Sequence, residues 1–85
     1  MTIGNLPGYD YAIKHGYSLA SYAGNGDAAE YIKDEITLSI YSGGSARLWA
    51  IVGLVELNIG PFSFPHPNTE KFFAAIKRVY QLSTA

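Results

Sequence analysis

The stretch EITLSIYS, residues 35–42, constrains the fold more than any other part of this 85-residue chain. Its apolar residues Ile36, Leu38 and Ile40 alternate strictly with Thr, Ser and Tyr. A period of two gathers apolar side chains on one face of a β-strand, whereas on a helix the same residues would be spread around the axis. The stretch therefore predicts a strand at about 35–41 with one buried face.

A second apolar run, ARLWAIVGLVELNIGP, occupies residues 46–61 after the linking sequence SGGS. Gly43 and Gly44 can adopt the positive φ angles that a tight hairpin requires. The run has several β-branched residues and no polar stripe at helical spacing, so we predict a hairpin with a second strand at about 46–58. One face of that strand would carry Trp49, Ile51, Val55, Leu57 and Ile59, and the other Leu48, Ala50, Val52 and Leu54. A strand that is apolar on both faces is expected to be covered on both.

The C-terminal segment predicts an amphipathic helix at 69–82. Its apolar residues recur at helical spacing and are Phe72, Phe73, Ile76, Val79 and Tyr80. Asn68 or Thr69 is suited to cap the helix, and Pro65 and Pro67 separate it from the preceding strand. A single helix covers one face of a sheet, so the other face would need the N-terminal segment or a second protomer.

The N-terminal third fits neither period well. Residues 1–8 predict an irregular arm, and residues 17–23 a possible edge strand. Asp27 and Glu30 resemble a capping box, which favours a short helix at 27–35 over a strand pairing with 17–23. The whole chain, 1–85, is thus predicted to be one small α+β domain with a small antiparallel sheet. The alternative is an all-α fold of four short helices.

Composition excludes several functional classes. A net charge of −1 argues against binding nucleic acid through bulk electrostatics, and the absence of cysteine excludes disulfides and thiolate ligands. The N-terminus has no signal-peptide pattern, and the 46–59 run is shorter than the roughly 20 residues that span a bilayer. We therefore expect a cytoplasmic protein with no membrane partner.

The sequence offers no recognisable catalytic set. His15 and His66 have no metal-ligand spacing, and the serines lie in no nucleophile motif. The glycine-rich turns lack the spacing of phosphate-binding loops. We expect no enzyme activity, no cofactor and no bound metal, although a small enzyme working around His66 is the weakest of three hypotheses.

The leading hypothesis is a non-enzymatic protein-interaction or assembly module that forms a homodimer. Charged residues make up only 15% of the chain, against about 25% in a typical soluble domain. Tyrosine is favoured at interfaces, and the chain has seven. The candidate interface residues are Tyr9, Tyr11, Tyr17, Tyr22, Val52 and Leu54.

The alternative is a nucleic-acid-binding or regulatory module that uses a basic face of the last helix, formed by Lys71, Lys77 and Arg78. Five of the seven acidic residues lie in the first 35 positions. The two charged ends could be solvated faces or could pair between neighbouring protomers.

Overall fold

A computed structural model describes residues 2–85. Five strands form one antiparallel meander in chain order: β1 (Ser18–Tyr22), β2 (Ala28–Lys33), β3 (Ile36–Tyr41), β4 (Ser45–Val52) and β5 (Val55–Ser63). A 3-10 turn (Ile3–Asn5) and helix α1 (Tyr9–Lys14) precede the sheet, and helix α2 (Thr69–Thr84) follows it. The predicted α+β class and the C-terminal helix are confirmed, and the all-α alternative is not supported.

The predicted hairpin turn at Gly43 and Gly44 joins β3 to β4. The Gly44 N–H donates to the Tyr41 carbonyl at 3.0 Å, and Gly44 has a φ of 92°. Positive φ is accessible to glycine without steric cost, so this local sequence chemistry fixes where the chain reverses.

The predicted single strand at 46–58 is two strands. The chain turns back at Gly53 and Leu54, and Gly53 has a φ of 61°, as the first central residue of a type II′ hairpin turn requires. Because the chain reverses, Leu57 pairs with Ala50 and Ile59 with Leu48, and all four side chains share one face. The predicted grouping of Leu57 and Ile59 with Trp49 was therefore wrong.

The predicted helix at 27–35 is also wrong, since residues 28–33 form β2. Asp27 belongs to the preceding turn, where its N–H donates to Asn25 Oδ1 at 3.0 Å. Ala29 and Tyr31 are two residues apart on this strand, and both side chains lie in the core. The predicted edge strand at 17–23 is confirmed as β1. Helix α1 lies just before it, in a segment whose apolar residues show no clear period.

The hydrophobic core lies on one face of the sheet, under both helices. Its buried apolar side chains are Leu6, Ala12, Tyr17, Ala29, Tyr31, Ile36, Leu38, Ile40, Ala46, Leu48, Ala50, Phe73 and Ile76. Leu6 comes from the segment predicted as an irregular arm, Ala12 from α1, and Phe73 and Ile76 from α2. Within residues 2–85, neither helix packs on the opposite face.

Candidate functional site

The face of the sheet opposite the helices is the candidate functional site, and we call it the open face. Side chains alternate along each strand, so its residues are those between the core positions. They include Ser18, Ser21, Glu30, Ile32, Thr37, Ser39, Tyr41, Arg47, Trp49, Ile51, Glu56 and Asn58. Ile32, Tyr41 and Ile51 are exposed large apolar or aromatic side chains. Trp49 is half-buried.

The strand register arranges these residues in rows across the sheet. One row runs Ser21, Glu30, Ser39, Arg47, from β1 to β4. The next runs Ile32, Thr37, Trp49, Asn58, from β2 to β5. With strands about 4.8 Å apart, Glu30 and Arg47 lie about 10 Å from each other, one on each side of the central strand β3.

A hydrogen-bond chain fixes the side chains at the centre of this face. Trp49 Nε1 donates to Ser39 Oγ at 2.9 Å, and Ser39 Oγ donates to Glu30 Oε2 at 3.3 Å. Ser21 Oγ donates to Glu30 Oε1 at 2.9 Å. Ser39 is only 1% exposed, so the chain is anchored in the sheet itself. Trp49 and Glu30 are therefore held in place before any partner binds.

Arg47 lies beside Trp49 on the same face. Its guanidinium carbon is 5.4 Å from the centre of the Trp49 ring, within range of a cation–π contact. Arg47 Nη1 is 3.6 Å from Glu56 Oε2, a long and partly exposed ion pair. Such a pair contributes little to stability, so it restrains Arg47 only weakly.

A small recess of about 120 Å³ opens at the β1–β3 end of the open face. Its lining includes Ser21, Tyr22, Glu30, Ser39 and Tyr41. A carboxylate next to aromatic side chains is suited to a cationic group, which can pair with the charge and contact the rings.

The structure does not bring the six predicted interface residues together. Tyr17 is buried in the core, and Tyr9 and Tyr11 pack against it from α1. Tyr22 is exposed at the end of β1. Val52 and Leu54 lie at the tip of the β4–β5 hairpin, where Leu54 is fully exposed.

Tyr11 connects the two helices on the core side. Its hydroxyl donates to Glu70 Oε2, and His15 Nδ1 lies 3.5 Å from Glu70 Oε1. Burial, followed by the hydrogen bond to Glu70, raises the pKa of Tyr11 above its usual range. Lys33 Nζ donates to the His15 carbonyl at 2.8 Å, which fastens the end of α1 to β2. These contacts give Tyr11, His15 and Lys33 a structural role, which is to hold α1 against α2 and β2.

The predicted basic face is reduced by an ion pair within the chain. Lys77 Nζ lies 3.0 Å from Asp34 Oδ2, while Lys71 and Arg78 are exposed. The acidic first half and basic last helix thus meet within one chain at this point.

His66 makes hydrogen bonds and ring contacts that stabilise the start of α2. Its Nδ1 accepts the Asn68 N–H at 3.0 Å, and its carbonyl accepts the Thr69 hydroxyl at 2.8 Å. Its ring packs against Phe62 and Phe72. These bonds orient the turn that leads from β5 into α2.

Comparison with family models, with curated proteins and with solved structures gives no match. Among residues 2–85, no helix has both the length and the apolar character needed to cross a membrane. The same residues contain no group of three or more potential metal ligands.

Proposed function

We propose that this protein is a protein-interaction module that self-associates through the open face of its sheet. The observation that carries the proposal is a sheet with both helices on one side and exposed Ile32, Tyr41 and Ile51 on the other. Large apolar side chains exposed on an uncovered sheet face are typical of interaction sites.

The residue types on the open face also support this function. Trp, Tyr and Arg are the residues that most often dominate binding energy at protein interfaces. Trp49, Tyr41 and Arg47 all lie on this face, and Arg47 contacts Trp49. Trp49 is already held by its bond to Ser39. Binding therefore loses less side-chain entropy than it would with a freely rotating tryptophan.

A second copy of the chain is the partner that the face fits. Glu30 and Arg47 give it one charge of each sign flanking the central strand, so the surface can complement itself. Five strands at 4.8 Å spacing and about six residues in length present roughly 500 Å² per copy. Two copies would bury about 1,000 Å², near the lower limit for a specific interface, so we expect a micromolar dissociation constant.

A matched pair of lysine substitutions tests the proposal. Ile32 on the open face is 38% exposed and Val79 on α2 is 46% exposed, so either substitution should cost the fold little. The wild type and Val79→Lys should sediment as dimers at tens of micromolar, whereas Ile32→Lys should sediment as a monomer. Circular dichroism of all three should coincide.

Two results would contradict the proposal. A monomeric wild type up to millimolar concentration would exclude self-association. Equal dimerisation of Ile32→Lys and the wild type would show that the chains associate through another surface.

A further inference from the structure

Resting on the proposed self-association, we infer that the dimer axis runs parallel to β3 and over Ser39, so that Arg47 of each copy meets Glu30 of the other. Face-to-face packing of identical sheets requires a two-fold axis that lies in the interface between them. The charges on the open face distinguish among the possible directions of that axis.

The strand register places Glu30 and Arg47 symmetrically about β3. Glu30, Ser39 and Arg47 are paired neighbours on β2, β3 and β4, so the two charges lie at equal distances on opposite sides of β3. Rotation by 180° about an axis along β3 exchanges the β2 side with the β4 side. It therefore places each Arg47 over the partner's Glu30, and the two-fold symmetry makes this ion pair twice.

The same two charges disfavour a two-fold axis at right angles to β3. Rotation about an axis across the strands, along the Glu30–Ser39–Arg47 row, would leave β2 over β2 and β4 over β4. Each Glu30 would then face the partner's Glu30, and each Arg47 the partner's Arg47. Like charges brought together in a desolvated interface repel each other strongly, so this arrangement is disfavoured.

The neighbouring row supports the same axis. Ile32 and Trp49 are both register partners of Thr37, on opposite sides of β3. The rotation along β3 therefore places Trp49 of each copy over the partner's Ile32, so apolar surface meets apolar surface.

The recess beside Glu30 provides the place for the incoming arginine. Both Glu30 oxygens already accept serine hydroxyls from Ser21 and Ser39, which fixes the carboxylate at the recess. Arg47 can leave its long contact with Glu56 at little cost and form a shorter charge-assisted bond with the partner's Glu30.

Charge reversal tests this geometry. Glu30→Arg alone and Arg47→Glu alone should each weaken self-association about 100-fold or more, because two attractive pairs become two repulsive ones. An equimolar mixture of the two single variants should form heterodimers of near wild-type affinity, since both interfacial pairs again have opposite signs. The double variant Glu30→Arg/Arg47→Glu should form homodimers for the same reason. Sedimentation and circular dichroism are measured on every sample.

The outcomes separate the geometry from the function. Dimers of both single variants as stable as the wild type, or no heterodimer in the mixture, would overturn the inferred axis and leave self-association intact. A monomeric wild type would overturn the proposed function. If either charge reversal prevents folding, Glu30→Gln and Arg47→Gln should each weaken the dimer about tenfold or more, and retention of wild-type affinity by both would overturn the axis.

Discussion

Two tyrosines in the core differ in whether the side-chain hydroxyl has a hydrogen-bond partner. Tyr31 Oη donates to the Pro7 carbonyl at 2.6 Å, whereas the buried Tyr17 hydroxyl has no hydrogen-bond partner within the described chain. A buried polar group without a partner loses its hydration and gains nothing in return. The hydrophobic ring of Tyr17, packed edge-on against Phe73, is what contributes to stability at this position.

We therefore expect opposite results from two phenylalanine substitutions in urea unfolding at pH 7. Tyr31→Phe should lose about 1 kcal/mol of unfolding free energy with its hydrogen bond, whereas Tyr17→Phe should be neutral or stabilising.

Burial raises the pKa of Tyr31 to about 12, against about 10 in the unfolded chain. The unfolded state therefore releases this proton first, and wild-type stability should fall between pH 10 and 12 by about 1.4 kcal/mol per pH unit for this tyrosine. Tyr31→Phe should lose less stability over that range. An equal decline in both proteins would contradict the burial argument.

At the scale of the elements, β4 and β5 depend on one glycine. Gly60 has a φ of 135°, and a Cβ atom there would lie 2.7 Å from Arg47 Cβ and 3.0 Å from the Ala46 carbonyl oxygen. The register of the two strands shifts at this point, between Ala46 and Leu48. The close approach at the irregularity therefore excludes any side chain.

Gly60→Ala should destabilise the fold by about 3 kcal/mol or more, because the clash is with β4 itself and the backbone angle is strained. Gly43→Ala is the matched control, since nothing lies within 4 Å of its added Cβ and its φ is not positive. The control should change stability by less than about 1 kcal/mol, and in the stabilising direction if it changes at all. Similar losses for both variants would contradict the account.

The elements also show how far the sequence predicts this fold. β3 and α2 have clear periods, two and 3.6, and both were predicted close to their observed bounds. The β4–β5 hairpin was missed because its turn is Gly53–Leu54, in which an apolar residue replaces the polar one typical of turns. β2 was missed because Asp27 and Glu30 imitate a helix start, and pairing with β1 and β3 outweighs that local preference.

The candidate site was missed because the pattern of β4 does not show which of its two apolar faces the helices cover. The sequence did predict that one face of the sheet would need a further cover. That face was expected to carry Val52 and Leu54, but Val52 lies on the same side of β4 as the buried Leu48 and Ala50, and Leu54 lies in the turn. Trp49 and Ile51 lie on the open face instead. The register across several strands decides which face of β4 the helices cover, and the residue pattern of a single strand does not contain that information.

At the scale of the whole molecule, the protein is a two-layer structure with one layer of helices. Among residues 2–85 no layer covers the other face of the five-stranded sheet, and the single tryptophan of the chain lies on that uncovered side. In the proposed dimer the sheet of the second copy becomes that missing layer. Trp49 would then change from half-buried to buried on association, while the secondary structure stays the same.

Trp49 fluorescence should therefore report assembly directly. Dilution of the wild type from about 100 micromolar to below one micromolar, which spans the expected micromolar dissociation constant, should shift the emission to longer wavelength and increase quenching by acrylamide. Circular dichroism should remain constant, which distinguishes dissociation from unfolding. Ile32→Lys should show the dilute-state spectrum at every concentration, because its open face is never covered, whereas Val79→Lys should follow the wild type. A concentration-independent Trp49 spectrum in a protein that sediments as a dimer would place the interface away from the open face.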